Sequence, residues 1–276
     1  MKRSQLAINS VSTRQAGLAE CLAAYQEAGF VNVEFRLAHV KDYLAQGRRR
    51  AAVRRLLDDH GLRCIGGFET PLLAFAPPAE RDQNHALIVE NAELIAELGG
   101  AVLVVGTDGP AVGTAPADPL GELAAAFATV AQRIAGTGVS LAIEFNWSPL
   151  VKSLRTAAEV ARRAGVPNVG VLFDPAHYHC TPTKFAELNA ANIACITHVH
   201  VDDMRDKPGE LSHANSDRVL PGQGCLDLRA LFTQIERHGY TGYFSIELFN
   251  EALWAMPARQ AARLMYDSLV PLCTAE

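Results

Sequence analysis

The sequence predicts an α/β fold, one closed (β/α)8 barrel over residues 1–276, on three observations. Short aliphatic runs alternate with amphipathic stretches at intervals of about 30 residues, the rhythm of a parallel barrel. No GxGxxG or GxxxxGK[ST] follows the first run, which argues against an open doubly wound sheet. Four late runs each end on a metal-capable side chain, Glu144, Asp174, His200 and Glu247. Parallel neighbours would bring those ends to one rim.

Residues 5–10 are the first strand, and 18–28 a helix whose Leu18, Cys21, Leu22 and Tyr25 share a face before Gly29 stops it. Residues 31–35 alternate with period two and carry Glu34; 48–59 are a basic amphipathic helix, and 62–66 the third strand. A long helix at 79–98 places Ile88, Ala92, Ile95 and Leu98 on one side and ends at Gly99-Gly100. The fourth strand, 101–105, is the most continuously aliphatic segment. After a Gly/Pro/Asp-rich loop at 106–119 come a helix at 120–134, strand five at 139–145 and a helix at 154–164 stopped by Gly165. Strand six is 169–173, followed by a weaker helix at 185–194 and strand seven at 196–201. A polar loop, 202–225, leads to a helix at 228–238, strand eight at 242–248 and a last helix at 258–269. The pattern of helix, glycine, aromatic, strand and acid at Gly29-Phe30 to Glu34 returns at Gly239-Tyr240 to Glu247, as a repeated unit would.

Alternate strand residues point into a barrel, and active sites sit at the carboxyl ends of its strands. Glu144 lies between Ile143 and Phe145, Asp174 follows Phe173, His200 lies between Val199 and Val201, and Glu247 between Ile246 and Leu248. All four can therefore face the lumen. Singly, such a carboxylate may equally be a helix cap, and such a histidine a core group. Together, three carboxylates on adjacent strand ends repel one another unless a divalent cation compensates them. His177, three residues past Asp174, reaches the same mouth. His198 lies one layer deeper, and Glu34 faces inward from strand two; supporting hydrogen bonds are the expected role of both. Trp147, Phe68 and Trp254 are candidates for a pocket wall. His179, His213 and Cys180 receive no role.

The formal charge of −5 provides no electrostatic footprint for nucleic acid. The basic run Arg48-Arg49-Arg50 with Arg54-Arg55 reads as the solvated face of a helix. Six scattered cysteines without a CxxC pair, no apolar leader and no run long enough to span a bilayer predict a reduced, cytoplasmic protein that binds no membrane. Whether it forms a homo-oligomer is left open.

With these residues in view, the chain resembles the xylose-isomerase-like TIM-barrel superfamily, particularly its sugar-phosphate isomerase/epimerase and inosose dehydratase-like branch. The resemblance is carried by IEFNW, FDPAH, HVHVDD, RVLPGQGCLDL and GYFSIELFNEALW in the carboxyl half, and in the amino half only by AGFVNVEF. It implies that Glu144, Asp174, His200 and Glu247 bind one divalent ion, commonly Mn, Mg or Co, with Zn also admissible. It further implies that His177 and an arginine shortly after the metal-binding histidine, best matched by Arg205, contact a small sugar or polyol substrate. The implied chemistry is proton transfer beside the carbonyl of a keto-sugar or related polyol, with Glu144 and Glu247 as the acid/base pair. An inosose or dehydroshikimate-type dehydratase is the alternative outcome of the same enolate. A non-catalytic sugar-binding barrel and an endonuclease IV-like nuclease are competing classes. The nuclease requires histidines after strands three and four and an Asp-x-His pair, where this chain has Gly67-Phe68-Glu69, Gly106-Thr107-Asp108 and a lone His213.

Overall fold

The protein, a computed structural model describing residues 1–274, contains eight parallel strands that close on themselves. They are β1 (Leu6–Asn9), β2 (Asn32–Arg36), β3 (Arg63–Phe68), β4 (Val102–Val105), β5 (Ser140–Glu144), β6 (Val169–Phe173) and β7 (Ile196–Val201), then, past a small antiparallel hairpin of β8 (Asp203–Met204) and β9 (Arg218–Val219), β10 (Phe244–Ile246). Strand β10 pairs with both β7 and β1, which closes the ring. The helices are α1 (Leu18–Ala28), α2 (Leu37–Ala45), α3 (Arg50–Asp59), α4 (Pro78–Glu97), α5 (Pro119–Arg133), α6 (Leu154–Ala164), α7 (Pro175–Cys180), α8 (Ala190–Ile193), α9 (Leu228–Arg237), α10 (Glu251–Trp254) and α11 (Ala258–Leu269).

The period-two alternation of the strands separates two cores. Leu103, Val105, Ile143, Phe145, Val171, Phe173, Val199, Phe244 and Ile246 pack outward with the helices. Val104, Ala142 and Leu172 pack inward with Phe68 and Val102. Each fully buried phenylalanine or branched aliphatic in the outer layer contributes roughly 1.5–3 kcal/mol of hydrophobic free energy. From Ala142 on β5, Leu172 on β6 and His198 on β7, even-numbered positions therefore point into the lumen, and the same parity continues to Glu144, Asp174 and His200, whereas Ile196, before the register shift, packs in the outer core. A register shift at Val171/Leu172 sets Leu172 opposite His198 and skips Thr197, so the two strands keep that parity together.

Four departures from the sequence expectation have local causes. Residues 185–194 do not form one helix: a 3-10 turn at Phe185–Glu187 ends, and Asn189 restarts the chain by accepting from Asn192 N at 3.1 Å. The polar loop 202–225 holds the β8–β9 hairpin, in which Met204 pairs with Arg218. Helix α2 follows β2 directly, with Arg36 ending the strand and capping the helix, so no glycine or turn residue marks it. Helix α7 starts on Asp174, whose Oδ1 accepts from His177 N at 3.1 Å, with Pro175 in the first turn.

Candidate metal centre and active-site cavity

At the carboxyl ends of the strands, His200 Nδ1 lies 3.3 Å from Asp174 Oδ2 and 3.3 Å from Glu247 Oε2. One ligand atom from each of Asp174, His200 and Glu247 can be chosen within 4.8 Å of the others. Asp174 thus serves twice, since one oxygen caps α7 and the other faces the imidazole. Glu144 is held slightly apart. Its Oε1 is 3.3 Å from His177 Nε2, and its Oε2 accepts from Asn146 Nδ2 at 3.1 Å. On the far side of His200, Nε2 lies 3.2 and 3.1 Å from the two carboxylate oxygens of Glu34.

Arg218, supplied by β9, is the largest fully buried side chain of the fold. Its Nη1 donates to Glu247 Oε2 at 2.8 Å and to Glu247 O at 3.0 Å. The same nitrogen is 3.0 Å from Asp202 Oδ2, and Nη2 is 3.0 Å from Asp174 Oδ2. Nε donates to Ala214 O at 2.6 Å. The hairpin that carries it is fastened by Asp203, whose Oδ1 accepts from Met204 N and Leu226 N and whose Oδ2 accepts from Gly222 N and Gly224 N, at 2.9–3.0 Å. A side chain at Gly224 would run into the Asp203 carboxylate and Met204 O, so only glycine lets the loop close there.

Four carboxylates, Glu144, Asp174, Asp202 and Glu247, act on one permanent cation, Arg218, and a fifth, Glu34, faces His200 from the other side. The proton affinities of the neighbouring groups shift in response. Burial opposes a charged His200, but Glu247, Glu34 and the bond to Asp174 outweigh it and raise its pKa well above the ordinary histidine value. Burial likewise opposes a charged His177, and Asp174 and Glu144 overcome it. Burial, then Asp174, pushes Asp202 well above the carboxylate range, with Arg218 only partly offsetting this. For Asp174 itself burial acts upward, but Arg218 and His177 hold it well below that range. Two carboxylates and an imidazole with converging ligand atoms, in an acid-rich setting that otherwise depends on protons, fit a divalent cation, and Glu144 borders the same space.

Beside this cluster opens a cavity of about 320 Å³, bordered by the charged or titratable Glu144, Glu247, His177 and Arg218 and also by Phe68, Thr107, Asn146, Asn215 and Phe249. Among the sequence candidates, Glu144, Asp174, His177, His200 and Glu247 come together here. Arg205 does not reach this cavity. Its side chain is 58% exposed, lies 3.7 Å from Asp217, and borders an adjoining cavity of about 390 Å³ that shares only Asn215 and Phe249 with the first. Of the three aromatics, Phe68 lines the central cavity; Trp147 is 54% exposed, and Trp254 lies in the adjoining cavity under the Arg14 guanidinium. Arg218, Asp202 and Asn146 were missed by sequence reasoning. The available signal was the RVLPGQG stretch, which opens on Arg218. At the ends of β3 and β4 the cavity meets Phe68, Glu69 and Thr107 and no histidine, so the additional ligands of a nuclease-type centre are not there.

Residues 22–268 match the family model described as xylose isomerase-like TIM barrel. An inosose isomerase of Halalkalibacterium halodurans is 32% identical over 136 residues, 48% of this chain and 48% of that protein. A 3-dehydroshikimate dehydratase of Pseudomonas aeruginosa is 30% identical over 264 residues, 89% of this chain and 38% of that one. The match thus spans about half the length, or less, of these curated relatives. Among solved structures, an IOLI protein with a binding zinc atom superposes with a TM-score of 0.87 over 97% of both chains at 21% identity, a likeness of fold. No helix among the described residues is long and apolar enough to cross a membrane.

Proposed function

Because the chain belongs to the xylose isomerase-like TIM-barrel family, we propose that it is a divalent-metal-dependent isomerase or epimerase that moves a proton beside the carbonyl of a keto-sugar or related polyol. An inosose is the first substrate to test, in view of the inosose isomerase relative. The observation that carries the reading is the placement of two glutamates, Glu144 and Glu247, at one cavity, with Asp174 and His200 converging on Glu247. Those four residues would hold the ion, with Mn, Mg or Co, or Zn as in the IOLI neighbour, as candidates. When bound, the ion supplies Lewis-acid polarisation of the carbonyl and acidifies the adjacent C–H.

The remaining work falls to the chain. One glutamate removes the proton from the activated carbon, and the other returns a proton to the neighbouring carbon or to the opposite face. Arg218, a cation fixed by three carboxylates and two backbone carbonyls, stabilises negative charge growing on the substrate oxygen. His177, whose pKa Asp174 and Glu144 raise against the effect of burial, donates to a substrate hydroxyl and tunes Glu144. Phe68 and Phe249 border the cavity where the C–H face of a ring would lie. Arg205, at the adjoining cavity, would meet an outer substituent of a longer substrate.

The second reading is a dehydratase, favoured by the 3-dehydroshikimate dehydratase match along 89% of the chain. It shares the first proton abstraction and differs in that a hydroxyl leaves from the adjacent carbon. Incubating the Mn- or Zn-loaded protein in D₂O with inososes, ketohexoses and dehydroshikimate, followed by NMR, tests both. Deuterium at one carbon without loss of water is expected. A new alkene or enol signal would assign the dehydratase, and no exchange on any of these compounds would overturn proton transfer.

A further inference from the structure

Glu34 takes no part in the chemistry above, yet it is a fully enclosed charge below the reaction cavity. It stands on β2, three strands round the ring from β7, and reaches His200 directly across the lumen. The lumen near this depth includes the apolar Val104, Ala142 and Leu172, and His198 stands level with Leu172. A carboxylate there needs partners to offset its lost hydration. Both of its oxygens face His200 Nε2, at 3.2 and 3.1 Å, and one of them also lies 3.1 Å from His198 Nε2. The two imidazoles meet edge to face with centroids 5.2 Å apart, so the ring of His200 is held against rotation.

We infer that Glu34 is a positioning residue for the metal centre: it fixes the proton of His200 on Nε2 and so dedicates Nδ1 to the cation. A carboxylate only accepts hydrogen bonds, so Nε2, which faces both oxygens of Glu34, keeps its hydrogen when the ring gives one up to a cation. The other nitrogen, 3.3 Å from both Asp174 and Glu247, is the one that can exchange its proton for an ion. A carboxylate behind a ligating imidazole also raises its basicity and limits its orientations, and loss of such a partner weakens metal binding by about 10–100-fold. The inference rests on the metal-site reading above. It excludes a rival one, in which Glu34, His198 and His200, whose donor atoms also converge, hold an ion through Nε2.

The test uses zinc alone, without substrate. In ¹⁵N-histidine-labelled, zinc-loaded protein, long-range ¹H–¹⁵N spectra should show His200 protonated at Nε2 and zinc-bound at Nδ1. Calorimetric titration should rank zinc affinity as wild type, then Glu34→Gln, which keeps one acceptor oxygen, then Glu34→Leu, with the last weaker by about 10–100-fold. Zinc on Nε2, or an unchanged affinity in the variants, would overturn the inference while leaving the metal centre standing. Absence of any saturable zinc site in the wild type would overturn both. If Glu34→Leu does not fold, the wild-type spectrum and Glu34→Gln decide the matter.

Discussion

The two sides of the barrel mouth are built from opposite materials. Strands β3 and β4 deliver Phe68, Gly106 and Thr107, and the carboxylates there are engaged elsewhere, Glu69 by Lys41 and Asn91 and Asp108 by the backbone N–H groups of Ala74 and Phe75. Strands β5, β6, β7 and β10 deliver Glu144, Asp174, His200 and Glu247, with Arg218 and Glu34 behind them. Both sides come from the same fold and strand parity. The difference shows how a parallel barrel divides labour: one arc concentrates charge, and the facing arc leaves room for carbon.

Changes on the charged arc should cost most. Glu247→Gln keeps shape but removes a proton acceptor, and is expected to lower metal-dependent deuterium exchange by about 10²–10⁴-fold. Metal content must be measured in the same sample, because Glu247 is also a candidate ligand; a fully loaded variant exchanging at the wild-type rate would remove the base role. Glu144→Gln, read by product stereochemistry, separates the second acid/base position from the first.

Next is Arg218→Met. Removing a buried cation from among Asp174, Asp202 and Glu247 leaves like charges unpaired, and about 3–5 kcal/mol of stability should be lost in metal-free protein by denaturant titration. Zinc should recover part of that loss. Equal stability of the variant and the wild type without metal would mean that the acid cluster is neutralised by protons alone.

The pH dependence is smaller and has a defined sign. The pKa of His200 is raised in the metal-free fold, so its contribution to stability is complete below the unfolded histidine value of about 6.5 and is lost as pH rises through the folded value. Metal needs the Nδ1 lone pair, so it competes with that proton. Apparent zinc or manganese affinity should rise by about tenfold per pH unit below the folded pKa and then level off, with proton release in weak buffer. A flat affinity between pH 6 and 8 would contradict this account of the charged arc.

The mildest effects belong to the facing arc and the outer rim. Phe68→Ala should raise KM several-fold and leave kcat within about twofold, since it removes apolar contact worth about 1 kcal/mol rather than chemistry. Arg205→Ala should change KM by less than about threefold for a small polyol. A larger kcat loss in either would blur the division between the arcs.

Most of the charged arc was legible in the sequence because strand parity is periodic: Glu144, Asp174, His200 and Glu247 each follow alternating aliphatic residues. Arg218 was not. It lies in a two-residue strand, and its partners stand 29 residues ahead in Glu247 and 44 behind in Asp174, so no local period marks its burial. Arg205 drew the substrate role by closeness to His200 along the chain, although the hairpin turns it outward. Asp174 was read for its ligand chemistry, and the helix it starts was overlooked although Pro175 announces it. Glu34 was placed inside the barrel in a supporting role, but its partner His200 was not identified, because strand order alone does not say how far a side chain reaches across a lumen.

The fastening of the hairpin by Asp203 has a consequence for redesign. Because that one carboxylate accepts all four backbone bonds, the loop is anchored at 203 and at 222–226, and Arg218 is delivered between those anchors. The segment 206–213 is left as an exchangeable cassette that touches the adjoining cavity through His213, whereas Ala214, whose carbonyl accepts from Arg218 Nε, and Asn215, which borders the central cavity, belong to the fixed part. Grafts confined to it should retune which substituents the outer cavity accepts while the buried guanidinium stays in place. A graft that replaces Gly224 should displace the arginine from a distance.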